Sequence, residues 1–337
     1  MEKKEILAHF SYGSAIRNAI EKITNANRGV LVVFVKDKGI KKISVGGFKI
    51  NEEFSEERLA ELAKLDGAIL VDNKLQKIIS ANVLLNPSIK IPSTETGTRH
   101  QAAERTARQL DTMVLAISAK TGTAMVYHGN GKLKLNNLGK IFTKTGEALR
   151  IIEKHRELFK VLIKKFDTFE LLEMVTLEDL ASIFQREKIM DSVADIISVY
   201  LSELGDEGEL TELQLKEIIT YVHAELAAIM ADYHDYFNFD KIIEELKDLK
   251  RDEIVVKENI FKIFLDNRKK EDTLIPKGYR ILKNIPILTE ENIKLLMETF
   301  PSLKELISAQ EEELAAIKSI GNKKAKAIRE YLLKAQI

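Results

Sequence analysis

The chain has 337 residues, with 52 Lys+Arg against 52 Asp+Glu, six His, no Cys and no Trp. Without cysteine there is no disulfide framework and no thiolate metal site, and a formal charge of zero excludes a protein that coats nucleic acid through its global charge, leaving only a local patch. No apolar run reaches the roughly 18 residues of a spanning helix, and MEKKEILAHF shows no signal peptide, so the expectation is a cytoplasmic, well-cored protein with no membrane partner.

Glycine and proline divide the chain. Twelve of the 16 glycines lie at or before Gly146, no proline occurs from Ser93 to Ile275, and only Gly205 and Gly208 fall between Glu147 and Lys277. Since both residues punctuate turns, their absence over a long stretch argues for helices.

Residues 1–147 alternate helix and strand signals. Gly13 to Ala26 carries Ile16, Ala19, Ile20 and Ile23 at helical spacing, and Gly29–Val35 is a β-branched run that reads as a buried strand. A short strand is expected over Lys42–Gly47, then a helix from Ser55 to Leu65 with Ser55 as N-cap. Strands are expected over Gly67–Val71, Lys77–Leu85, Thr112–Ala119 and Thr123–His128, with a helix over Thr98–Leu110. The fold class is α+β and multidomain, beginning with an α/β domain around one mixed sheet. Residues 148–273 read as a helical bundle or spine, with Leu149, Ile152, Phe159, Ile163 and Phe166 in one stripe and Gly205–Gly208 as a loop. Residues 274–337 hold two helix–turn–helix patterns, from Tyr279 and from Leu314, which align as a duplicated hairpin.

Three stretches carry chemistry. In the second hairpin, Gly321 allows a sharp turn and Ala325 close packing, so that backbone N–H groups at the next helix start face a phosphate. Asn322, Lys323, Lys324 and Lys326 sit beside that end; Lys318 to Lys334 carries six basic residues and one acidic, 6 − 1 = +5. That combination suits sequence-independent contact with a nucleic-acid backbone, as against a solvated helix face. The first hairpin has Pro286-Ile287 in place of Gly321 and reads as packing. Asp66-Gly67-Ala68 puts a carboxylate at a strand entry, where it holds Mg²⁺ or Mn²⁺ or simply makes a turn. Gly97-Thr98-Arg99-His100 opens a helix, where free N–H groups, a hydroxyl and two basic side chains converge on an anion or merely cap the helix. There is no P-loop, no Gly-x-Gly-x-x-Gly and no His-Glu-x-x-His. His9, His128, His155 and His223 have no ligand-spaced partners, and Tyr233–Tyr236 reads as packing or surface.

In this order along the chain, Asp66-Gly67-Ala68, Gly97–His100, the helical middle and the hairpin pair resemble the DisA family of diadenylate cyclases, as do Val45–Phe48, Ile91–His100 and Ala103–Arg105. The resemblance implies that two ATP molecules, held face to face by two cyclase domains, condense into cyclic di-AMP with Mg²⁺ or Mn²⁺. Asp66 would bind the ion near the attacking 3′-hydroxyl, and Gly67 and Ala68 would line the nucleotide. Gly97, Thr98, Arg99 and His100 would grip phosphates, with Ser118 and Lys120 adding a hydroxyl and a charge. The resemblance further implies at least a dimer, an octamer in the family pattern, and branched DNA such as junctions at the C-terminal domain. Gln101, Ala102 and Thr121 depart from the family pattern, which has a third basic residue, a hydroxyl and a further arginine there. The alternative is a DNA-binding or nucleotide-sensing scaffold with a poorly active cyclase site.

Overall fold

Val30–Val35 (β1), the most apolar run of the N-terminal half, lies at the centre of a mixed sheet in a computed structural model. The structure describes residues 2–36, 38–265, 269 and 272–335, without the side chains of Lys38, Lys334 and Ala335. The other strands of the sheet are β2 (Ser44–Val45), β3 (Phe48–Glu53), β4 (Ala68–Asp72), β5 (Lys77–Leu85), β6 (Val114–Ile117), β7 (Ala124–His128) and β8 (Gly131–Lys134). Their order is β2-β5-β4-β1-β6-β7-β8, with β3 also on β5. β1 and β4 run parallel, with Leu31 opposite Ala68, while β6 runs antiparallel to β1, with Val30 opposite Ile117.

Both faces of the central strands are covered, which is why they read as continuous apolar runs and not as alternating ones. Val30, Val32 and Phe34 point to one side, into a core with α1 (Lys3–His9), α2 (Ala15–Asn25) and α3 (Glu56–Leu62). Leu31 and Val33 point to the other, where Ala103 and Ala107 of α4 (Thr98–Leu110) pack on them. The expected stripe Ile16, Ala19, Ile20 and Ile23 is buried on α2, and Ser55 Oγ caps α3 by accepting from the Arg58 amide. Three elements carry too little apolar pattern to be read from sequence. β3, FKINEE, is mostly exposed and is held by its pairing to β5. β8 closes a hairpin with β7, and α1 buries only Ile6 and Leu7. The strand expected over Lys42–Gly47 shrinks to Ser44–Val45.

The next helix, α5 (Leu138–Leu171), runs without a break past residue 147. α6 (Leu177–Leu204) and α7 (Glu209–Asp232) follow, joined by a 3₁₀ turn over Gly205–Gly208. One compact unit comprises the chain to Gly146 together with Ile197–Glu212; the other comprises Glu147–Ile196 and Leu213 onward. The first unit takes in that distant segment through a buried ion pair. Arg17 and Glu203, 3% and 1% exposed, lie 3.4 Å apart. Arg17 also donates to the Asn136 carbonyl and lies over the Tyr12 ring. Glu203 accepts from the Asn136 amide at 2.6 Å and from Asn136 Nδ2 at 3.0 Å.

In the second unit Ile152, Phe159, Ile163 and Phe166 of α5 are buried, as are Leu180, Ile183 and Phe184 of α6. Phe184 stacks on Phe239 of α8 (Phe239–Asp248), and Phe264 meets it edge-on. α9 (Arg251–Ile254) and α10 (Lys257–Phe264) complete this helical part. A short pair, β9 (Val175–Thr176) with β10 (Thr273–Leu274), precedes the hairpins. These are α11 (Tyr279–Lys283) with α12 (Glu290–Thr299), then α13 (Leu303–Ser308), and α14 (Glu311–Ala315) with α15 (Gly321–Ala335). Leu282, Leu296, Leu303, Leu314, Ala325 and Ile328 are among the side chains of their common core. The first hairpin is fastened by Arg280, whose guanidinium pairs with Asp167, with Glu170 at 2.7 Å and with Glu225 at 3.5 Å. Asp232 accepts from the Tyr279 and Arg280 amides and so caps α11. A buried arginine is tolerable only when its charge is matched in this way, here through Nη1 and Nη2, while Nε has no partner among the described residues.

Removing one member of a buried pair strands the other's charge. Glu203→Ala should therefore lower the stability of the first unit by about 3–5 kcal/mol, measured as the shift of its denaturant midpoint. A loss under about 1 kcal/mol, the worth of an exposed pair, would show that Arg17 finds water instead.

Candidate functional site

Asp66 is exposed on the bend just ahead of β4, and no hydrogen bond or ion pair engages its carboxylate among the described residues. Gly67 makes this bend possible. Its φ is +84°, and a Cβ there would lie 2.9 Å from the Val83 carbonyl oxygen of β5. An L side chain meets both backbone strain and a collision with the neighbouring strand, so this glycine serves the sheet itself. Ala68 is buried, facing Leu31 and Val83 in the ladder.

Register then brings distant residues to the same edge. β1 and β4 run parallel from Leu31 opposite Ala68, so Gly29 and Asp66, which lead into them, lie at the same end of the sheet. Val30 opposite Ile117, carried one step outward, sets Gly29 beside Ser118. Arg99 of α4 lies over Gly29. A Cβ on Gly29 would collide with Arg99 Nη1 and lie 2.9 Å from the Ile117 carbonyl oxygen. Gly29 is the residue that sequence reasoning missed; the available signal is a glycine directly ahead of the buried strand. Ser118 is half-buried, one residue past β6, and its Oγ accepts from the Thr121 amide at 3.3 Å. Lys120 is exposed in the same turn.

α4 begins at Thr98 with Gly97 as N-cap, as expected, and no side chain caps it. The exposed Thr98 and the first-turn amides are thus available to an anion. His100 is oriented by Tyr127 of β7, its Nδ1 lying 2.9 Å from the phenol oxygen. Burial, opposed by Glu95 and aided by Arg99, holds the His100 imidazole below its usual range, so it is neutral at physiological pH. Burial and the charge of Glu95 push the Tyr127 phenol up, so it keeps its proton.

One polar stripe of α4 fixes the loop that leads into it. Gln101 Nε2 donates to the Glu95 carbonyl at 2.8 Å, Arg105 Nε to the Ile91 carbonyl at 3.0 Å, and Arg108 Nη1 to the Pro92 carbonyl at 2.6 Å. Glu104, 4% exposed, accepts from the Ser93 hydroxyl, the Thr94 amide and Arg108. Lys132 of β8 pairs with Glu95 at 2.8 Å. Gln101, Glu104, Arg105 and Arg108 follow helical spacing, so one face of the helix clamps the chain it grows from.

In the second hairpin Gly321 has φ +61° and open space where a Cβ would stand, and Ala325 is fully buried. Asn322, Lys323 and Lys326 are exposed on the first turns of α15. Lys324, grouped with them from the sequence, turns inward. Its Nζ donates to Asn292 Oδ1 at 2.7 Å and to the Ser319 carbonyl at 2.9 Å. Arg329 likewise donates to the Ile307 carbonyl at 2.6 Å. Lys334 lies outside the residues whose side chains are described. The outward basic face is thus narrower than the count of charges suggests.

The Glu104 anchor titrates. Burial pushes its carboxyl up, but Ser93, Thr94 and Arg108 outweigh burial and hold it below the ordinary 4.5. Its contribution is therefore complete above pH 4.5 and is lost as the pH falls through the lower folded value. Glu104→Gln should cost about 1.5–3 kcal/mol at neutral pH, with the gap to wild type closing in acid. A gap independent of pH across the acid range would contradict the charged anchor.

Three family models match the chain in order: the DisA bacterial checkpoint controller nucleotide-binding domain over residues 17–132, its linker region over 135–272, and a helix-hairpin-helix motif over 283–337. The DNA integrity scanning protein DisA of Bacillus subtilis is 34% identical over 100% of this chain and 94% of its own length. That of Acetivibrio thermocellus is 35% identical over 98% and 94%. A crystal structure of DacA from Staphylococcus aureus is 26% identical, covering 42% of this chain and 92% of that one, with a TM-score of 0.32. Among the described residues no helix is long and apolar enough to cross a membrane. A nucleotide-binding domain, a helical linker and a helix-hairpin-helix domain, matched in this order along the whole chain, make it a member of the DisA family.

Proposed function

We propose that the N-terminal domain is a diadenylate cyclase, converting two ATP into cyclic di-AMP and two pyrophosphates, and that the C-terminal hairpins bind branched DNA. The observation that carries the first part is the set of groups at one end of the central strands: the unengaged Asp66, Gly29 under the Arg99 guanidinium, and Ser118, with the open N-terminus of α4. Each 3′-oxygen forms a bond to the α-phosphorus of the facing ATP, the bond to the β-phosphate oxygen breaks, and the hydroxyl proton leaves to solvent. Such in-line transfer asks the protein chiefly to position groups and neutralise charge.

Asp66 suits a hard divalent ion, because an exposed carboxylate leaves the remaining positions to phosphate oxygens and water. When bound, Mg²⁺ or Mn²⁺ at Asp66 supplies charge neutralisation at the transferring phosphate. Arg99 contributes a fork of donors lying over Gly29, and the α4 amides with Thr98 contribute N–H and hydroxyl donors. Ser118 adds a hydroxyl from the adjacent strand end, Lys120 a mobile charge, and His100 a neutral ring oriented by Tyr127. Because each domain supplies one ATP, two chains must face one another; the family pattern of an octamer extends this arrangement.

At the C-terminal end the positive φ of Gly321, Asn322 and the exposed Lys323 and Lys326 suit a phosphate backbone at the start of α15. Lys324 serves by holding the turn. A second reading, a nucleotide-sensing DNA scaffold, is favoured by one observation: Gln101, where the family pattern has a basic residue, is committed to the Glu95 carbonyl.

The test separates nucleotides after incubating the protein with ATP and Mg²⁺ or Mn²⁺. Wild type should form cyclic di-AMP, and Asp66→Asn should form at least about 100-fold less, the scale of a lost transition-state contact. ATP binding without product in wild type would select the scaffold reading. Lys323→Glu with Lys326→Glu should weaken binding to junction DNA and lower its salt slope; unchanged binding would move the DNA site elsewhere.

A further inference from the structure

Three side chains outside both sites converge in the helical middle. Glu187 and Asp191 lie one turn apart on α6, and His223 faces them from α7. Sequence reading left His223 without a ligand-spaced partner, because its partners come from the preceding helix and only packing of α7 against α6 aligns them. His223 Nε2 is 3.1 Å from Asp191 Oδ1 and 3.6 Å from Glu187 Oε1. One donor atom from each residue lies within 4.8 Å of the others. Donors bound at about 2.0–2.2 Å to one ion stand roughly 3.0–3.5 Å apart. The triad is thus close to a coordination sphere already, requiring only small side-chain adjustments.

The surroundings suit an ion with open positions. A cleft of about 250 Å³ adjoins the triad, walled by Phe184, Leu226, Ile243 and Leu246 and edged by Lys188 and Lys247. The Glu187 side chain is only 13% exposed, so its carboxylate has lost much of its water and needs a cationic partner, which is protonated His223 without an ion and the metal once His223 gives up that proton to bind it. One imidazole with two carboxylates is a borderline donor set that suits Zn²⁺ and neighbouring transition ions more than Mg²⁺ or Ca²⁺.

We propose that Glu187, Asp191 and His223 form a divalent transition-metal site in the helical middle, separate from Asp66, with its remaining positions open to the cleft. Lys188 and Lys247 favour water-derived hydroxide or another small anion in those positions. The site links α6 to α7, so metal binding also stabilises this part of the chain.

The test is equilibrium dialysis of the full chain, stripped by chelator, against Zn²⁺ alone without nucleotide, with bound metal counted by elemental analysis. Wild type and Asp66→Asn should each retain Zn²⁺ at this site and show a raised melting temperature. His223→Ala and Asp191→Asn should each weaken retention at least roughly tenfold and lose the melting shift. Substituting Co²⁺ should give visible ligand-field bands in wild type that His223→Ala removes. If His223→Ala does not fold, Asp191→Asn, at a half-exposed position, carries the comparison. Equal Zn²⁺ retention by wild type and the folded triad variants would overturn the proposal and leave a His–carboxylate ion pair. Loss of the metal in Asp66→Asn alone would overturn it as well, assigning the ion to Asp66.

Discussion

The register of three adjacent strands is the constraint on which the N-terminal site rests. β4, β1 and β6 are paired so that Asp66, Gly29 and Ser118 fall at the same end of the sheet, although they are far apart in sequence. A register slip of one residue would turn each strand's side chains to the opposite face, and here both faces are apolar and filled. The packing that stabilises the sheet therefore also fixes the alignment of the polar edge. Two glycines complete it by omission. Gly67 lets the chain bend against β5 and still deliver a carboxylate, and Gly29 leaves room for an arginine from a different element.

α4 joins the sheet to that edge by using each of its surfaces differently. Ala103 and Ala107 are small, so the helix sits close to Leu31 and Val33. Its N-terminus opens beside the edge without a side-chain cap. Its polar stripe is turned back on the preceding loop through Gln101, Glu104, Arg105 and Arg108. Gln101 thereby has a physical role of its own. Its amide fixes the loop that leads into the helix.

Much of this was legible in the sequence where a local pattern and a tertiary need coincide. α4 and β5 appear with the boundaries expected of them, since a glycine N-cap and a long mixed strand are local signals. The Asp66 bend and the duplicated hairpin were legible for the same reason. What was not legible depends on partners distant in sequence. β3 is polar and forms because β5 offers it a ladder. Arg17 with Glu203, and Arg280 with Glu170, look like ordinary surface charges until folding buries them. Lys324 counts as a basic residue in sequence, yet its contact with Asn292 spends that charge inside the hairpin. Gly29 reads as the first residue of a buried strand, and only the position of Arg99 gives it a site role.

The central claim is that a helix residue and a strand-end residue, Arg99 and Ser118, act on one bound nucleotide because the sheet register brings them together. A double-mutant cycle on ATP affinity tests it most directly, using Arg99→Ala, Ser118→Ala and the pair, each checked for an unchanged melting temperature. The account predicts a coupling of at least about 0.5 kcal/mol, as expected for two groups that share a ligand. Losses that simply add, or an ATP affinity that neither substitution changes, would contradict it.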